Sequence, residues 1–247
     1  MPPSAGSSPP GAGSALHAPQ LIANSQMLYL VWLPADPQAV AKLVPEGLTP
    51  AADGACYLNQ YIVTDPMQTS NGAAAADSFG AYSLTYLGAD LDGLDTEAGV
   101  PARWWTHYFN SSESMNRYAA ERGVPTSPGR TELDVTTDRV IATTFLGDEP
   151  TIRTTARISD SPTTRSTGQL RYITRGEDDG FTSGRYPFVA DMAGGFEVES
   201  LEFLDPNHDV YALRPADPLT VTFGFYSPSI TFCYPGGEGP LGSKHGS

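Results

Sequence analysis

Short runs of β-branched and aromatic residues, divided by turn-forming residues, recur along almost the whole chain, and this repetition most limits the folds open to it. Two segments carry helix signals. Strands this frequent, with so few helices between them, predict a mainly β (α+β) fold, built as an antiparallel barrel or sandwich. The predicted strands cover residues 28–33, 55–64, 79–88, 101–109, 131–136, 138–146, 150–158, 167–174, 195–204 and 219–226.

The two predicted helices are short and have clear boundaries. Asp36-Pro37 supplies an N-cap followed by proline at the first helical position, and Pro45 ends that helix. The second helix is predicted to start with a capping box at Asn110 and to end before Gly123.

The sequence predicts one domain over residues 21–235. Residues 1–20 are rich in Pro, Gly, Ser and Ala and are expected to be disordered, as is a flexible tail at 236–247. The first segment lacks the charged and apolar regions of a secretory signal, and no apolar run approaches the ~18 residues of a membrane span. Residues 65–78 are too long for a hairpin loop and are interpreted as a lid.

The charge balance limits the partners of the protein. The net charge is −14, from 28 acidic and 14 basic residues. This field repels phosphate backbones and anionic lipids, so we expect neither nucleic acid nor a membrane surface as a partner. Two cysteines, Cys56 and Cys233, are interpreted as reduced thiols rather than as a disulfide framework, which favours the cytoplasm.

Two segments resemble the acetoacetate decarboxylase-like superfamily. The first runs from Leu33-Pro34-Ala35-Asp36-Pro37 to Leu43-Val44-Pro45-Glu46-Gly47-Leu48, and the second is Gly123-Val124-Pro125, which is similar to the family's G-x-P-K-K segment. The resemblance implies an antiparallel β cone or barrel with a few helices, a homo-oligomer, and a buried lysine that condenses with a ketone.

The residues that would carry the family's Schiff-base chemistry are replaced here. Thr126 and Ser127 stand where the resemblance implies two lysines, and Ser83 is the nearest match to a catalytic glutamate. The chain has two lysines, Lys42 on the first helix and Lys244 in the tail. We therefore expect no Schiff base.

Other side chains are candidates for acid–base catalysis. His107 lies in an aromatic strand, where a neutral imidazole serves as acid or base, although a hydrogen-bonded structural histidine is the alternative. Strand alternation predicts that Trp105 shares its face and lines the substrate pocket. Glu132 shares a face with Asp134, a pair that can raise one pKa, although a solvated strand face is the commoner explanation.

A further set of polar residues is predicted to bind substrate. Tyr57, Asn59 and Tyr61 point the same way from an otherwise apolar strand, so they face either hydrogen-bond partners or a cavity. Tyr82 is a candidate oxyanion donor. Arg153 is a candidate clamp for a carboxylate or an enolate.

These observations leave two hypotheses for function. No ligand spacing predicts a metal site and no fingerprint predicts a cofactor. The first hypothesis is a cofactor-free enzyme of secondary metabolism that cyclises (by a pericyclic step or conjugate addition) or dehydrates a carbonyl- or polyene-bearing small molecule. The second is a non-catalytic protein that binds a small molecule in the same cavity.

Overall fold

The computed structural model describes residues 16–64, 79–95, 99–176 and 179–241. Two α-helices, α1 (Pro37–Ala41) and α2 (Glu113–Ala120), and a 3-10 helix (Asp209–Leu213) interrupt twelve strands within these residues. The strands are β1 (Leu16–Trp32), β2 (Cys56–Val63), β3 (Tyr82–Leu91), β4 (Ala102–Asn110), β5 (Thr126–Pro128), β6 (Arg130–Val135), β7 (Arg139–Leu146), β8 (Glu149–Arg157), β9 (Thr164–Arg175), β10 (Phe181–Met192), β11 (Glu197–Phe203) and β12 (Val221–Pro240).

Seven of these strands close into a barrel. Their order is β3-β2-β1-β12-β10-β9-β4, and β4 pairs again with β3. Neighbouring strands are antiparallel, except that β4 and β9 run parallel. The mainly β barrel with a few short helices confirms the predicted fold class.

A second sheet, in the order β11-β8-β7-β6, covers part of the outer surface of the barrel. Leu28, Leu58 and Leu87 point outward from the barrel and share a buried cluster with Ala142 and Ile152 of this sheet. The barrel interior is a separate cluster composed mainly of aromatic side chains. Side chains therefore alternate along the barrel strands between an interior and an inter-sheet layer.

The helix boundaries follow local hydrogen bonding. The carboxylate of Asp36 accepts from the N–H groups of Gln38 and Ala39, as the sequence predicted. At α2 the N-cap is Ser112 rather than Asn110, whose side-chain oxygen instead accepts from the Ser112 N–H.

The strands differ from the sequence prediction in extent. β1 begins at Leu16 and β12 ends at Pro240, so both pass the predicted domain limits at 21 and 235. β10 was not predicted, because Gly184 and Pro187 interrupt its apolar pattern. The proposed lid at 65–78 and most of the N-terminal segment lie outside the described residues.

Two further expectations bear on the environment of the protein. Cys56 and Cys233 are both free thiols. In the described part of the chain, no helix has the length and hydropathy needed to cross a membrane.

Candidate functional site

A cavity of about 520 Å³ lies at one end of the barrel. This volume is within the usual range for small-molecule sites. Its walls come from β1, β3, β4, β9, β10 and β12, so residues from most of the barrel strands converge on it. The side chains that carry its chemistry or its apolar character are Tyr29, Asp90, Arg103, Phe188, Phe223 and Phe225.

An ion pair between Arg103 and Asp90 lies against this cavity. The two residues are register partners on β4 and β3, and each is 5% exposed. Nε of Arg103 donates to Oδ1 of Asp90 at 2.9 Å. Burial raises the pKa of Asp90, and the guanidinium opposes that rise. Burial acts to lower the pKa of Arg103, but the neighbouring phenols and the carboxylate raise it overall, so the guanidinium stays charged.

Three hydrogen-bond donors beside this pair have no partner among the described residues. They are Nη1 of Arg103 and the hydroxyls of Tyr29 and Tyr57. The guanidinium carbon lies 5.3 Å from the ring centre of Tyr29 and 4.9 Å from that of Tyr57. Burial raises the pKa of both phenols, so they remain protonated donors at neutral pH. Buried donors without acceptors are costly, so these three atoms are candidate contacts for acceptor groups of a ligand.

Aromatic rings fill the barrel beyond this point. Trp105 stacks on Tyr172 with ring centres 4.5 Å apart, and Tyr186 stacks on Phe232 at 4.8 Å. Tyr86 contacts Trp105 and Tyr186 within the same cluster. Where Tyr57, Tyr86 and Trp105 meet Arg103, the remaining space is about 10 Å³. A ligand therefore has room at the Arg103 end.

Five predicted site residues lie in the barrel interior. Tyr57 and Tyr61 belong to the interior cluster, together with Tyr82 and Trp105. Asn59 is 1% exposed and lies between Tyr57 and Tyr61 on the same face of β2, and its side-chain nitrogen has no partner in the described structure. The three side chains share one buried face, as strand alternation predicted, and none of them lines the 520 Å³ cavity. Of the five, Tyr57 and Trp105 border the small space next to Arg103.

A β-bulge turns His107 away from the barrel interior. The pairing between β3 and β4 shifts between the Leu87–His107 pair and the Gly88–Trp105 pair, so Thr106 is the extra residue. His107 lies on the outer surface, with Nε2 3.0 Å from Oδ1 of Asp209. Burial lowers its pKa, and Asp209 opposes that shift. The predicted face shared by Trp105 and His107 is not formed, because the bulge reverses the alternation.

Glu132 and Arg153 also lie away from the cavity. They occupy one row of the second sheet, where Glu132 pairs with Thr143, and Thr143 with Arg153. Neighbouring residues such as Ile152 face the barrel, so this row lies on the opposite face of the sheet. Oε1 of Glu132 accepts from Arg130 at 3.2 Å in an exposed ion pair. The structure brings neither residue to the interior.

The two positions at which the resemblance implies lysines hold small polar side chains. Thr126 and Ser127 lie on β5 beside Tyr108 and Phe109 of β4, and the Thr126 hydroxyl donates to the side chain of Asn116. Lys42 is exposed at the end of α1. Lys244 lies outside the described residues.

The residues that sequence reasoning missed are Asp90 and Tyr29, and the pairing of Asp90 with Arg103. Arg103 lies two residues before Trp105 on β4, so strand alternation puts the two on one face, and both border the small space described above. A signal for Asp90 was present, since it follows the apolar run of β3 directly. Its pairing with Arg103 depends on the register between β3 and β4, which only the structure shows.

Solved structures with the same fold have low sequence identity to this chain. One described as acetoacetate decarboxylase has a TM-score of 0.66 at 14% identity, covering 95% of this chain and 94% of its own. The enduracididine biosynthesis enzyme MppR complexed with pyruvate has a TM-score of 0.64 at 14% identity, with 94% of each chain covered.

A third similar structure is an acetoacetate decarboxylase-like enzyme from Sphingomonas wittichii RW1. Its TM-score is 0.58 at 16% identity, with 93% of this chain and 96% of its own covered. No protein-family model matches the sequence, and no curated protein matches it significantly. At these identities the likeness establishes the fold.

Proposed function

We propose, on the premise that this chain has the acetoacetate decarboxylase-like fold, that it is a lyase- or cyclase-type enzyme acting on a carbonyl-bearing small molecule without a cofactor. The reaction is a cyclisation, by conjugate addition or a pericyclic step, or a dehydration. Hydrogen bonds and acid–base groups drive it, without a Schiff base. The premise also makes a cytoplasmic homo-oligomer our working expectation.

The observation that carries this proposal is the set of unpaired donors at the cavity. Arg103 and Tyr29 line the cavity and contribute a charged N–H donor and a neutral phenol, and Tyr57 contributes a second phenol at the small space next to Arg103. A substrate carbonyl oxygen at this point is polarised, and the negative charge that develops on it as an enolate forms is stabilised. The low polarity of the surrounding aromatic wall strengthens these interactions.

This arrangement favours cyclisation over dehydration. A conjugate ring closure needs an activated carbonyl and a substrate held in a folded shape, both of which the donors and the aromatic wall supply. A dehydration also needs a base near the departing proton. Asp90 is the carboxylate among the described cavity-lining residues, and its Oδ1 already accepts from Arg103. We assign Asp90 a positioning role.

Binding without catalysis is the second candidate. The observation that favours it is the replacement of the positions that the resemblance assigns to catalysis, which read Thr126 and Ser127. Such a protein would use the Arg103 donor set to hold an anionic ligand. The MppR structure contains pyruvate, a small oxo acid, which makes pyruvate a suitable probe for this chain as well.

The first test measures ligand binding. Pyruvate and acetoacetate are titrated into the wild-type protein, Arg103→Met and the control Arg117→Met, which makes the same change at an exposed site on α2. We expect Arg103→Met to weaken binding about 10- to 100-fold, since hydrogen bonds to charged groups contribute roughly 1.5–3 kcal/mol. Arg117→Met should bind like the wild type. Equal binding by all three proteins would remove Arg103 from the site.

The second test separates an enzyme from a binder. Unsaturated ketones that carry a tethered nucleophile are incubated with each protein, and ring closure and the enantiomeric ratio of the product are measured. An enzyme accelerates closure over buffer and biases the ratio, and Arg103→Met loses both effects. Binding with no acceleration of any such substrate would favour the non-catalytic candidate.

A further inference from the structure

Three side chains that commonly bind metals meet on the outer surface of the barrel. Two of them are adjacent in sequence, and the third lies about a hundred residues before them. His107 comes from β4, and His208 and Asp209 begin the 3-10 helix. One ligand atom from each lies within 4.8 Å of the other two. Oδ1 of Asp209 is 3.0 Å from Nε2 of His107 and 2.9 Å from Nδ1 of His208.

The hydrogen bonds around this cluster indicate which ring nitrogen of each histidine carries the proton. In both rings it is the nitrogen that points away from the centre of the cluster. The hydroxyl of Thr106 donates its proton to the carbonyl of Leu87, so it accepts from Nδ1 of His107 at 2.9 Å. Nε2 of a neutral His107 then has a free lone pair. Nδ1 of His208 accepts from the backbone N–H of Val210, so it also carries no proton, and it must give up this hydrogen bond to bind a cation.

Three acceptor atoms without protons therefore lie within 4.8 Å of one another. An added proton on Nε2 of His107 would satisfy its contact with Asp209 but would leave His208 and Asp209 as two acceptors 2.9 Å apart. A metal cation satisfies both contacts together. Donors about 2.1 Å from a tetrahedral Zn²⁺ are about 3.4 Å apart, so both short separations need to widen by about 0.4–0.5 Å when the ion binds.

We propose that His107, His208 and Asp209 bind one late first-row divalent cation, with Zn²⁺ as the ion that suits their donor set. Two imidazoles and a carboxylate suit zinc and its neighbours, whereas magnesium prefers oxygen ligands. The Thr106 hydroxyl accepts from Nδ1 of His107 and fixes the orientation of the ring, as hydrogen-bond partners of metal-binding histidines do. The Asp209 side chain is 76% exposed, which gives the ion an entry path and leaves room for water ligands. The site fastens the 3-10 helix to the outer surface of β4.

The test uses metal-free protein without an affinity tag, titrated with Zn²⁺ by calorimetry. We expect one Zn²⁺ per chain and a rise in melting temperature on binding. Asp209→Asn keeps the shape of the side chain and removes its charge, and His208→Asn removes the imidazole but keeps a good N-cap for Val210. Each variant should bind Zn²⁺ at least ten-fold more weakly. Mg²⁺ should not bind at this site.

The double variant His17→Ala/His245→Ala is the matched control, because it removes the other two histidines of the chain. It should bind Zn²⁺ like the wild type. Three results would overturn the proposal. They are no Zn²⁺ binding by folded wild-type protein in the micromolar range, unchanged affinity in both Asp209→Asn and His208→Asn, or loss of binding in the control.

Discussion

At the scale of single residues, the Arg103–Asp90 pair dominates the candidate site because both charges are buried in an aromatic environment. Removing one member leaves the other charge without its partner. We expect Asp90→Leu to lower the free energy of unfolding by about 3–5 kcal/mol. Asp90→Leu/Arg103→Met should cost less than the sum of the single changes, because it leaves neither charge unpaired. Denaturant unfolding of the four proteins measures this coupling, and strictly additive costs would show that the charges are independent.

A second prediction at this scale concerns lysine. The positions that the resemblance assigns to the family's two lysines read Thr126 and Ser127, and Lys42 is exposed on α1. An exposed amine is protonated at neutral pH and is a weak nucleophile. Borohydride reduction with acetoacetate or pyruvate should therefore leave the mass of the protein unchanged, while a Schiff-base enzyme treated in parallel gains the reduced adduct. A single adduct mapped to Lys42 or Lys244 would contradict the prediction.

At the scale of elements, the bulge in β4 decides which side chains enter the barrel. It depends on the close approach of β3, because a Cβ at Gly88 would lie 1.8 Å from the carbonyl oxygen of Trp104. Gly88→Ala therefore forces the strands apart and should destabilise the protein by about 1–3 kcal/mol or more. Gly239→Ala is the control, since a Cβ at that position would meet no atom within 4 Å. Thermal unfolding compares the two, and equal stability would mean that the strands separate freely.

The same elements show what the sequence was able to predict. Asp36-Pro37 and Gly123 marked helix boundaries correctly, because a cap is decided by neighbouring residues. Strand alternation is also a local property, and it correctly placed Tyr57 and Tyr61 on one face, which is the interior face. It failed at His107, because the bulge is a property of two strands. The pairing of Arg103 with Asp90 was likewise beyond prediction, since it depends on register.

At the scale of the whole molecule, the two buried layers differ in chemistry. The layer between the barrel and the second sheet is mainly aliphatic. It also contains a paired polar network, in which the amide of Gln60 binds the hydroxyls of Thr144 and Thr154. The barrel interior instead holds phenols, and a phenol resists ionisation when it is buried. The interior therefore keeps neutral donors near Arg103 and makes the stability of the barrel sensitive to alkaline pH.

This sensitivity gives a prediction with a definite sign. Burial raises the pKa of the interior tyrosines above the unfolded value of about 10, so above that pH the unfolded chain binds fewer protons than the folded one. The free energy of unfolding is unaffected below about pH 10 and then falls by up to about 1.4 kcal/mol per pH unit for each such tyrosine. The tyrosines whose pKa burial raises well above the usual value include Tyr57, Tyr61, Tyr108, Tyr172 and Tyr186.

Because several tyrosines act together, the loss of stability should be steep, and unfolding should be complete within about one or two pH units above pH 10. Circular dichroism and tyrosinate absorbance, followed together as the pH is raised, measure it. We expect tyrosinate to appear in one cooperative step that coincides with the loss of β structure. Tyr61→Phe, which removes one of these phenols, should move the midpoint to higher pH if its packing is retained. Gradual ionisation near pH 10 in a chain that keeps its native dichroism would show that these phenols are open to water.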